Sequence, residues 1–282
     1  MKRLPASTTL VAALLLGAAA APAHAFERGG HCSGFIDAIP AVITTPGVWC
    51  MRGNLVLNYP AGIVIDAQAP NITIDCDGFQ LKGTNTKYGT STGIGGGASG
   101  LVVRNCRVSN FRLGIGARGR DAVIEENRIS SSKEVAMIVS GDGSVVRGNV
   151  IDFTGYYSRG DSTVAIRTDG VVDILDNLVH RVYVAPYAYV SRYASGIVAT
   201  NNRGGVVAGN ILTDIQDSGD RMDAQAIRML QSPGAVVRDN AIAYVPHGVS
   251  CDDASVVLSG NDFVGVEVDS TGCTDTDAGA DE

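Results

Sequence analysis

The sequence predicts an all-β solenoid, a coil in which short parallel strands stack in register. The first observation is a six-residue pattern, apolar-x-x-Asn-x-apolar, that recurs along the 282-residue chain. Neighbouring copies lie 21 to 33 residues apart, a period typical of repeat units that bury their apolar faces only against one another. The asparagine position of the nine copies holds Asn54, Asp77, Cys106, Asn127, Asn149, Asn177, Asn210, Asn240 and Asn261.

The second observation is that apolar residues occupy fixed positions around this asparagine. The residues three before and two after it are apolar in all nine copies, a spacing that does not fit a helical period. A small residue followed by an apolar one lies 12 to 15 residues earlier. These pairs are Gly62-Ile63, Gly93-Ile94, Gly114-Ile115, Ala136-Met137, Ala165-Ile166, Gly196-Ile197, Ala226-Ile227 and Gly248-Val249. Each unit therefore contains three short strands, and stacked units form three parallel sheets around an apolar interior, with strands ~4.8 Å apart.

Residues 72–79 (ITIDCDGF) and the Val-Val-Arg-x-Asn-x-Ile copies that follow carry a resemblance to a known family. They are similar to the repeats of right-handed parallel β-helix proteins of the pectate-lyase-like group, over roughly residues 43–263. The resemblance implies a single right-handed parallel β-helix of about nine coils with an N-terminal cap. It implies that the recurring asparagine lies in the turn between second and third strands, in a left-handed conformation and in an amide ladder. The Gly-Ile pairs then belong to the first strand of each coil.

The two ends of the chain differ from the repeats. Residues 1–25 have a basic start, an apolar segment and a final Ala23-His24-Ala25, the pattern of a secretory signal peptide. We therefore expect a secreted or periplasmic protein with a cap at residues 26–42, the β-helix at 43–265 and an acidic tail at 266–282. No later stretch reaches the ~18 uninterrupted apolar residues of a membrane span.

The charge balance limits the classes of molecule that the protein can bind. Without the signal peptide, 20 basic and 29 acidic residues remain, a net charge of −9. Nucleic acids are disfavoured because their phosphates require clustered Lys and Arg. Neutral or cationic partners, or anionic partners bridged by calcium, remain compatible with this balance. The oligomeric state is not predicted.

All six cysteines follow the signal peptide, and an even number in an exported chain indicates disulfides, with fifteen conceivable pairings. The repeat favours three of them because it places the partners at one end of the coil or in adjacent coils. These pairs are Cys32–Cys50, Cys76–Cys106 and Cys251–Cys273.

Three consecutive connections from a third strand to the next first strand are long, at residues 152–164, 180–195 and 213–225. Insertions in a solenoid map to one side and often form its binding face. Six of the nine tyrosines lie here together with several arginines, although the tyrosines could also simply pack the loops together. The predicted substrate-binding residues are Tyr156, Tyr157, Arg159, Arg181, Tyr187, Tyr189, Arg192 and Arg221.

Strand alternation predicts which side chains face outward beside these loops. Arg167 and Arg228 lie two coils apart in one outward column of the first strands, hence ~10 Å apart. In the third strands, Asp152 should neighbour His180, and Arg181 should neighbour Asp214, although such pairs are commonly mere surface complementarity. A histidine held by a carboxylate can act as a general base near neutral pH.

These features lead to two hypotheses of function. The first is an exported protein that binds a polysaccharide; if it is an enzyme, the resemblance favours lyase or epimerase chemistry on a uronate. That chemistry needs a base and a cation beside the carboxylate, and the candidate catalytic residues are Arg167, His180 and Arg228. Calcium is the candidate cofactor, on Asp169, Asp220 and Asp223. The chain departs from pectate-lyase-type sites because it lacks a clean acidic triad and a lysine near the groove.

The second hypothesis is a non-catalytic, adhesin-like or envelope scaffold protein. It would use the same loops, or a column of mostly valine residues on the outer face of the second strands, for protein contacts. That column, four residues before each asparagine position, is Thr73, Val102, Val123, Val145, Asp173, Val206, Val236 and Val257.

Overall fold

The computed structural model describes residues 32–84, 91–155, 162–184, 193–217 and 223–276. These residues form thirty strands. In chain order they are β1 (Gly34–Ile36), β2 (Ala41–Ile43), β3 (Gly47–Met51), β4 (Leu55–Asn58), β5 (Gly62–Ala67), β6 (Ile72–Asp75), β7 (Gln80–Thr84), β8 (Ser91–Gly96), β9 (Val102–Arg104), β10 (Arg107–Ser109), β11 (Leu113–Ala117), β12 (Val123–Glu125), β13 (Arg128–Ser132), β14 (Val135–Ser140), β15 (Ser144–Arg147), β16 (Val150–Thr154), β17 (Ser162–Asp169), β18 (Val172–Leu175), β19 (Leu178–Tyr183), β20 (Tyr193–Thr200), β21 (Val206–Ala208), β22 (Ile211–Gln216), β23 (Gln225–Leu230), β24 (Val236–Arg238), β25 (Ala241–Ala243), β26 (His247–Cys251), β27 (Val257–Ser259), β28 (Asp262–Val264), β29 (Val268–Thr271) and β30 (Thr274–Asp275).

The strands form three parallel sheets, each built from every third strand of the chain. The first-strand sheet has the order β2-β5-β8-β11-β14-β17-β20-β23-β26-β29. The second-strand sheet has the order β1-β3-β6-β9-β12-β15-β18-β21-β24-β27-β30, and the third-strand sheet β4-β7-β10-β13-β16-β19-β22-β25-β28. The predicted parallel β-helix is therefore confirmed, and its interior is the predicted apolar core.

The register of the central coils matches the sequence pattern. Ile166 pairs with Ile197, and Ile197 pairs with Ile227. All three side chains are fully buried. They lie on successive rungs of one interior column, as predicted, so the neighbouring outward columns are fixed as well.

The first two coils differ from the prediction. Ile65, not Ile63, pairs with Ile94, and Ile63 is 41% exposed. In the third-strand sheet Leu81, not Phe79, pairs with Val108. These two positions are therefore predicted wrongly by two residues, and burial of Ile65 and Leu81 decides the register. Val56, two residues after Asn54, is wrong by one residue, because Leu55 pairs with Leu81 and Val56 is 59% exposed.

The asparagine ladder is present, but the left-handed residue is not the asparagine. The Nδ2 group of each asparagine donates to Oδ1 of the next, at 2.9 to 3.0 Å, along Asn127, Asn149, Asn177, Asn210, Asn240 and Asn261. The preceding residue in each copy has φ between 54° and 66°. The predicted left-handed asparagine is therefore wrong: its neighbour makes the turn, and the asparagine side chain points inward.

All three predicted disulfides form, between Cys32 and Cys50, Cys76 and Cys106, and Cys251 and Cys273. The second joins adjacent coils, with Cα atoms 4.7 Å apart, close to the spacing of neighbouring strands. The described residues contain no helix that is long and apolar enough to cross a membrane.

Strands of the stack lie near both ends of the described residues. Near the amino terminus β1 and β2 pair with β3 and β5, so residues 34–36 and 41–43 already belong to the sheets. Near the carboxyl terminus β29 and β30 continue the stack past residue 265. The Cys251–Cys273 disulfide joins this end of the stack to the preceding coil. Residues 1–31, with the predicted signal peptide, lie outside the described residues.

Candidate functional site

The two predicted arginines share one column of the first-strand sheet. Arg167 pairs with Val198, Val198 with Arg228, and Arg228 with Ser250. Both arginine side chains are half-buried, and two rungs place their Cα atoms ~10 Å apart. We call Arg167, Val198, Arg228 and Ser250 the arginine column.

A second row of polar side chains orients these guanidinium groups. Arg167 Nη2 donates to Ser162 Oγ at 2.9 Å, and Arg228 lies 5.3 Å from the centroid of the Tyr193 ring. Ser162 and Tyr193 are register partners in adjacent coils. Within the described residues neither guanidinium forms an ion pair with a carboxylate, so both charges can serve an anionic ligand.

An aspartate lies where the long loops meet the first-strand sheet. Asp217 accepts hydrogen bonds from the backbone N–H groups of Ala194 at 2.7 Å and Asp223 at 3.0 Å. Burial raises the pKa of the Asp217 carboxyl, and the two N–H groups oppose that rise. Asp217 therefore fixes the start of β20 relative to Asp223.

Two of the three candidate calcium ligands, Asp169 and Asp223, lie among the described residues. Asp169 is exposed and accepts a hydrogen bond from the Asn201 amide at 2.8 Å. Asp220 lies outside the described residues, and no group of three or more His, Cys, Asp or Glu side chains within the described part could hold a metal ion. The calcium site stays a prediction.

The third-strand sheet carries a second polar group, which we call the His180 cluster: Asp152, His180, Arg181, Tyr183 and Asp214. Asp152 and His180 are register partners, and His180 Nδ1 lies 3.3 Å from Asp152 Oδ1. His180 Nε2 lies 4.0 Å from Asp214 Oδ2. The predicted Asp152–His180 neighbourhood is confirmed, and the imidazole lies between two carboxylates.

Arg181 and Tyr183 complete the cluster. Arg181 donates to both oxygens of Asp152, at 2.9 and 2.6 Å. The pairing of His180 with Thr213 and of Val182 with Ile215 places Arg181 and Asp214 in one column, as predicted. The Tyr183 hydroxyl donates to Asp214 Oδ2 at 2.5 Å. The backbone at Arg181 is left-handed, with φ of 58°, as it is at Phe153 and Asp214 in the same column, and the strand continues to Tyr183.

These contacts shift three pKa values. The hydrogen bonds from Arg181 lower the pKa of Asp152 and raise the pKa of Arg181 itself. Burial, together with the hydrogen bond to Asp214, raises the pKa of Tyr183 to about 12. At neutral pH Tyr183 is therefore a proton donor, and His180 supplies the imidazole of the cluster, the side-chain group that most often acts as a general base.

Comparison with known protein families identifies the family of the fold. A profile for the right-handed β-helix region matches residues 92–280, about two thirds of the chain. The chain belongs to the right-handed β-helix family. No curated protein sequence matches it.

Three solved structures are similar to this β-helix at low identity. The A-module of Azotobacter vinelandii mannuronan C-5 epimerase AlgE6 is 12% identical with a TM-score of 0.43, covering 86% of this chain and 87% of that one. The AlgE4 A-module from the same organism is 11% identical, with a TM-score of 0.34 and coverage of 86% and 87%. The catalytic domain of a GH87 α-1,3-glucanase in complex with tetrasaccharides is 13% identical, with a TM-score of 0.33 and coverage of 83% and 54%. Similarity at this level does not identify an activity.

The β-helix thus separates the predicted catalytic residues into two places. Arg167 and Arg228 lie on the first-strand sheet, whereas His180 lies on the third-strand sheet. No hydrogen bond or ion pair joins His180 to either arginine among the described residues. Eight predicted site residues lie outside the described residues: Tyr156, Tyr157, Arg159, Tyr187, Tyr189, Arg192, Asp220 and Arg221.

Sequence reasoning did not select two residues of these groups, Tyr183 and Tyr193, for a site. Both lie in the long connections that the sequence predicts, but Tyr183 ends β19, and Tyr193 begins β20 and packs beside Arg228. Tyr183 follows the buried Val182. Because side chains alternate along a strand, this neighbour could have predicted that Tyr183 points outward from β19.

Proposed function

We propose that this protein is exported and binds an acidic polysaccharide along the first-strand face, through the arginine column. The observation that carries the proposal is that Arg167 and Arg228 lie in one column, two rungs apart. Neither arginine forms an ion pair with a carboxylate of the described residues. Planar guanidinium groups bind carboxylates through paired hydrogen bonds. Two such groups spaced along a rigid sheet suit a polymer with repeated carboxylates.

The neighbours of the arginines support this proposal. Tyr193 offers an aromatic face beside Arg228, and sugar rings pack their C–H faces on aromatic rings. Ser162 holds Arg167 by a hydrogen bond, which reduces the conformational entropy lost when a ligand binds. The three disulfides support export, because they persist in oxidising compartments.

A second candidate function is modification of the same polymer, as a lyase or epimerase acting on a uronate. His180, flanked by Asp152 and Asp214, favours it because a base is needed to remove the proton beside the carboxylate. Tyr183 stays protonated at neutral pH and could return a proton. Calcium on Asp169, Asp220 and Asp223 belongs to this candidate.

The experiment that tests both candidates is a panel of polyuronates and neutral polysaccharides, with and without calcium. Binding is measured by affinity electrophoresis, lyase activity by ultraviolet absorbance of unsaturated uronates, and epimerisation by proton NMR of the product. Retarded migration in polyuronate alone supports acidic-polysaccharide binding. Binding without either product removes the enzymatic candidate and keeps the first proposal.

Absence of binding to every polyuronate would favour the scaffold alternative. The column from Thr73 to Val257 gives that alternative a surface, since its residues are in register and half-exposed on the second-strand sheet.

A further inference from the structure

An open polar cavity of about 470 Å³ lies where three strands of the first-strand sheet end. It is formed by the stacked turns that follow β20, β23 and β26. Its lining residues are Asn201, Arg203, Gln231, Pro233, Asp252 and Asp253. We call it the turn pocket; it lies outside both the arginine column and the His180 cluster.

The turns that form this pocket are fixed by buried hydrogen bonds. The backbone N–H of Asn202 donates to Ser232 Oγ at 3.0 Å, and the Asn202 amide donates to the carbonyl of Val172 at 2.9 Å. Asn202 and Ser232 are both fully buried. The pocket walls are therefore anchored to the core, which preorganises them for a ligand.

Part of the hydrogen-bonding capacity of the lining residues is already used. Asp252 Oδ1 accepts the backbone N–H of Gln231 at 2.7 Å, and Asp253 Oδ1 accepts the N–H and hydroxyl of Ser255. The second oxygen of each carboxylate, and the exposed Arg203 guanidinium, have no partner among the described residues. These groups can therefore face a ligand.

We propose that the turn pocket binds a non-acidic pyranose unit that carries adjacent hydroxyl groups. Carboxylate oxygens accept hydroxyl protons in charge-assisted hydrogen bonds, and Arg203 can donate to ring or hydroxyl oxygens. Pro233 supplies an apolar surface for the C–H face of a sugar ring. Two carboxylates against one guanidinium leave the pocket negatively charged, so a uronate is disfavoured. The volume lies in the range of small-molecule sites.

This proposal goes beyond the binding of acidic polysaccharide and does not depend on it. Gln231 follows Arg228 by three residues, ~10 Å along an extended strand, so one branched polymer could reach both places. The two sites nevertheless prefer opposite ligand charges, and they can be tested separately.

The test titrates neutral gluco-, manno- and galacto-configured tetrasaccharides into the full chain at millimolar concentration, with saturation-transfer NMR and calorimetry as readouts. Arg203→Ala and Asp252→Asn should each weaken binding of the responding sugar at least tenfold. Asn at position 252 retains an oxygen acceptor for the Gln231 N–H, so the fold is kept. Arg120→Ala, in the exposed turn between β11 and β12, is the matched control and should bind like the unaltered protein.

The outcomes separate the two sites. If Arg167→Ala and Arg228→Ala leave neutral-sugar binding unchanged while Arg203→Ala abolishes it, the turn pocket is an independent site. If no neutral tetrasaccharide binds, or if Arg203→Ala binds as tightly as Arg120→Ala, the proposal is overturned, whatever the polyuronate panel shows.

Discussion

The guanidinium of Arg228 lies over the ring of Tyr193, 5.3 Å from its centroid. Tyr193 belongs to the coil that precedes Arg228, so parallel stacking brings together residues 35 positions apart in the chain. The contact holds one charge of the arginine column at the surface, and it combines a cation with an aromatic face on the proposed binding surface.

The first prediction concerns this contact. Tyr193→Leu should weaken binding of an acidic oligosaccharide about two- to fivefold, because a cation–π contact at an exposed site contributes roughly 0.5–1 kcal/mol. Tyr193→Phe keeps the ring and should bind like the unaltered protein. Calorimetry with a defined oligouronate measures both, and equal affinities for the Leu and Phe variants would rule out the role of the ring.

The second prediction concerns the asparagine ladder. Asn177 Oδ1 accepts the backbone N–H and the side-chain amide of Asn149, each at 3.0 Å. Asn177→Ala leaves the buried backbone N–H of Asn149 unpaired, whereas the Asn149 amide keeps its contacts with the carbonyls of Ile124 and Arg147. The substitution should therefore lower the free energy of unfolding by roughly 1–3 kcal/mol. Urea denaturation provides the measurement.

Asn261→Ala is the control for this prediction. Asn261 ends the ladder and is half-exposed, so water can replace its contacts and a smaller loss of stability is expected. A loss at Asn177 no greater than that at Asn261 would show that the buried ladder does not stabilise the coil.

The sequence predicted most of the architecture because the repeat is periodic where the asparagine is present. The interior column that contains Ile166, Ile197 and Ile227 follows directly from that period. The first two coils lack the full pattern, so the pattern does not align their residues with those of the later coils. The sequence therefore predicts Ile63 in the interior column, where the structure has Ile65.

The candidate site was harder to predict, because side-chain direction depends on local backbone conformation. Register correctly placed Asp152 beside His180. The sequence did not reveal that the backbone is left-handed at Arg181, nor that the Arg181 guanidinium donates to Asp152 while Asp214 accepts the Tyr183 hydroxyl.

The third prediction is a pH dependence of the Arg181–Asp152 ion pair. The pair lowers the pKa of Asp152 from the unfolded value of 3.8. Its contribution to stability is therefore present above that value and is lost as the pH falls through the lowered pKa of the folded state. In Arg181→Ala the pKa of Asp152 should rise, as measured by carboxyl carbon NMR. An unchanged Asp152 titration in this variant would contradict the assignment.

The fourth prediction concerns the Tyr183 phenol. Its pKa of about 12 means that the folded state favours the protonated form. Stability should therefore fall as the pH rises from the unfolded value of 10.0 toward about 12. Tyrosinate formation is followed by ultraviolet absorbance as the pH rises. The tyrosine that ionises last should be missing from the titration curve of Tyr183→Phe. In Asp214→Asn the same group should titrate earlier but remain above 10.0, because burial, the larger cause, persists.

The affinity of Arg167→Ala and Arg228→Ala for a defined oligouronate, measured by calorimetry at low and high salt, tests the central claim most directly. Each substitution should weaken binding about tenfold or more, since a hydrogen bond between charged groups contributes roughly 1.5–3 kcal/mol, and salt should reduce the difference. The matched control is Arg128→Ala, an exposed arginine on the third-strand sheet, which should bind like the unaltered protein. If both first-strand variants bind the oligouronate as tightly as Arg128→Ala, the arginine column is not the binding surface.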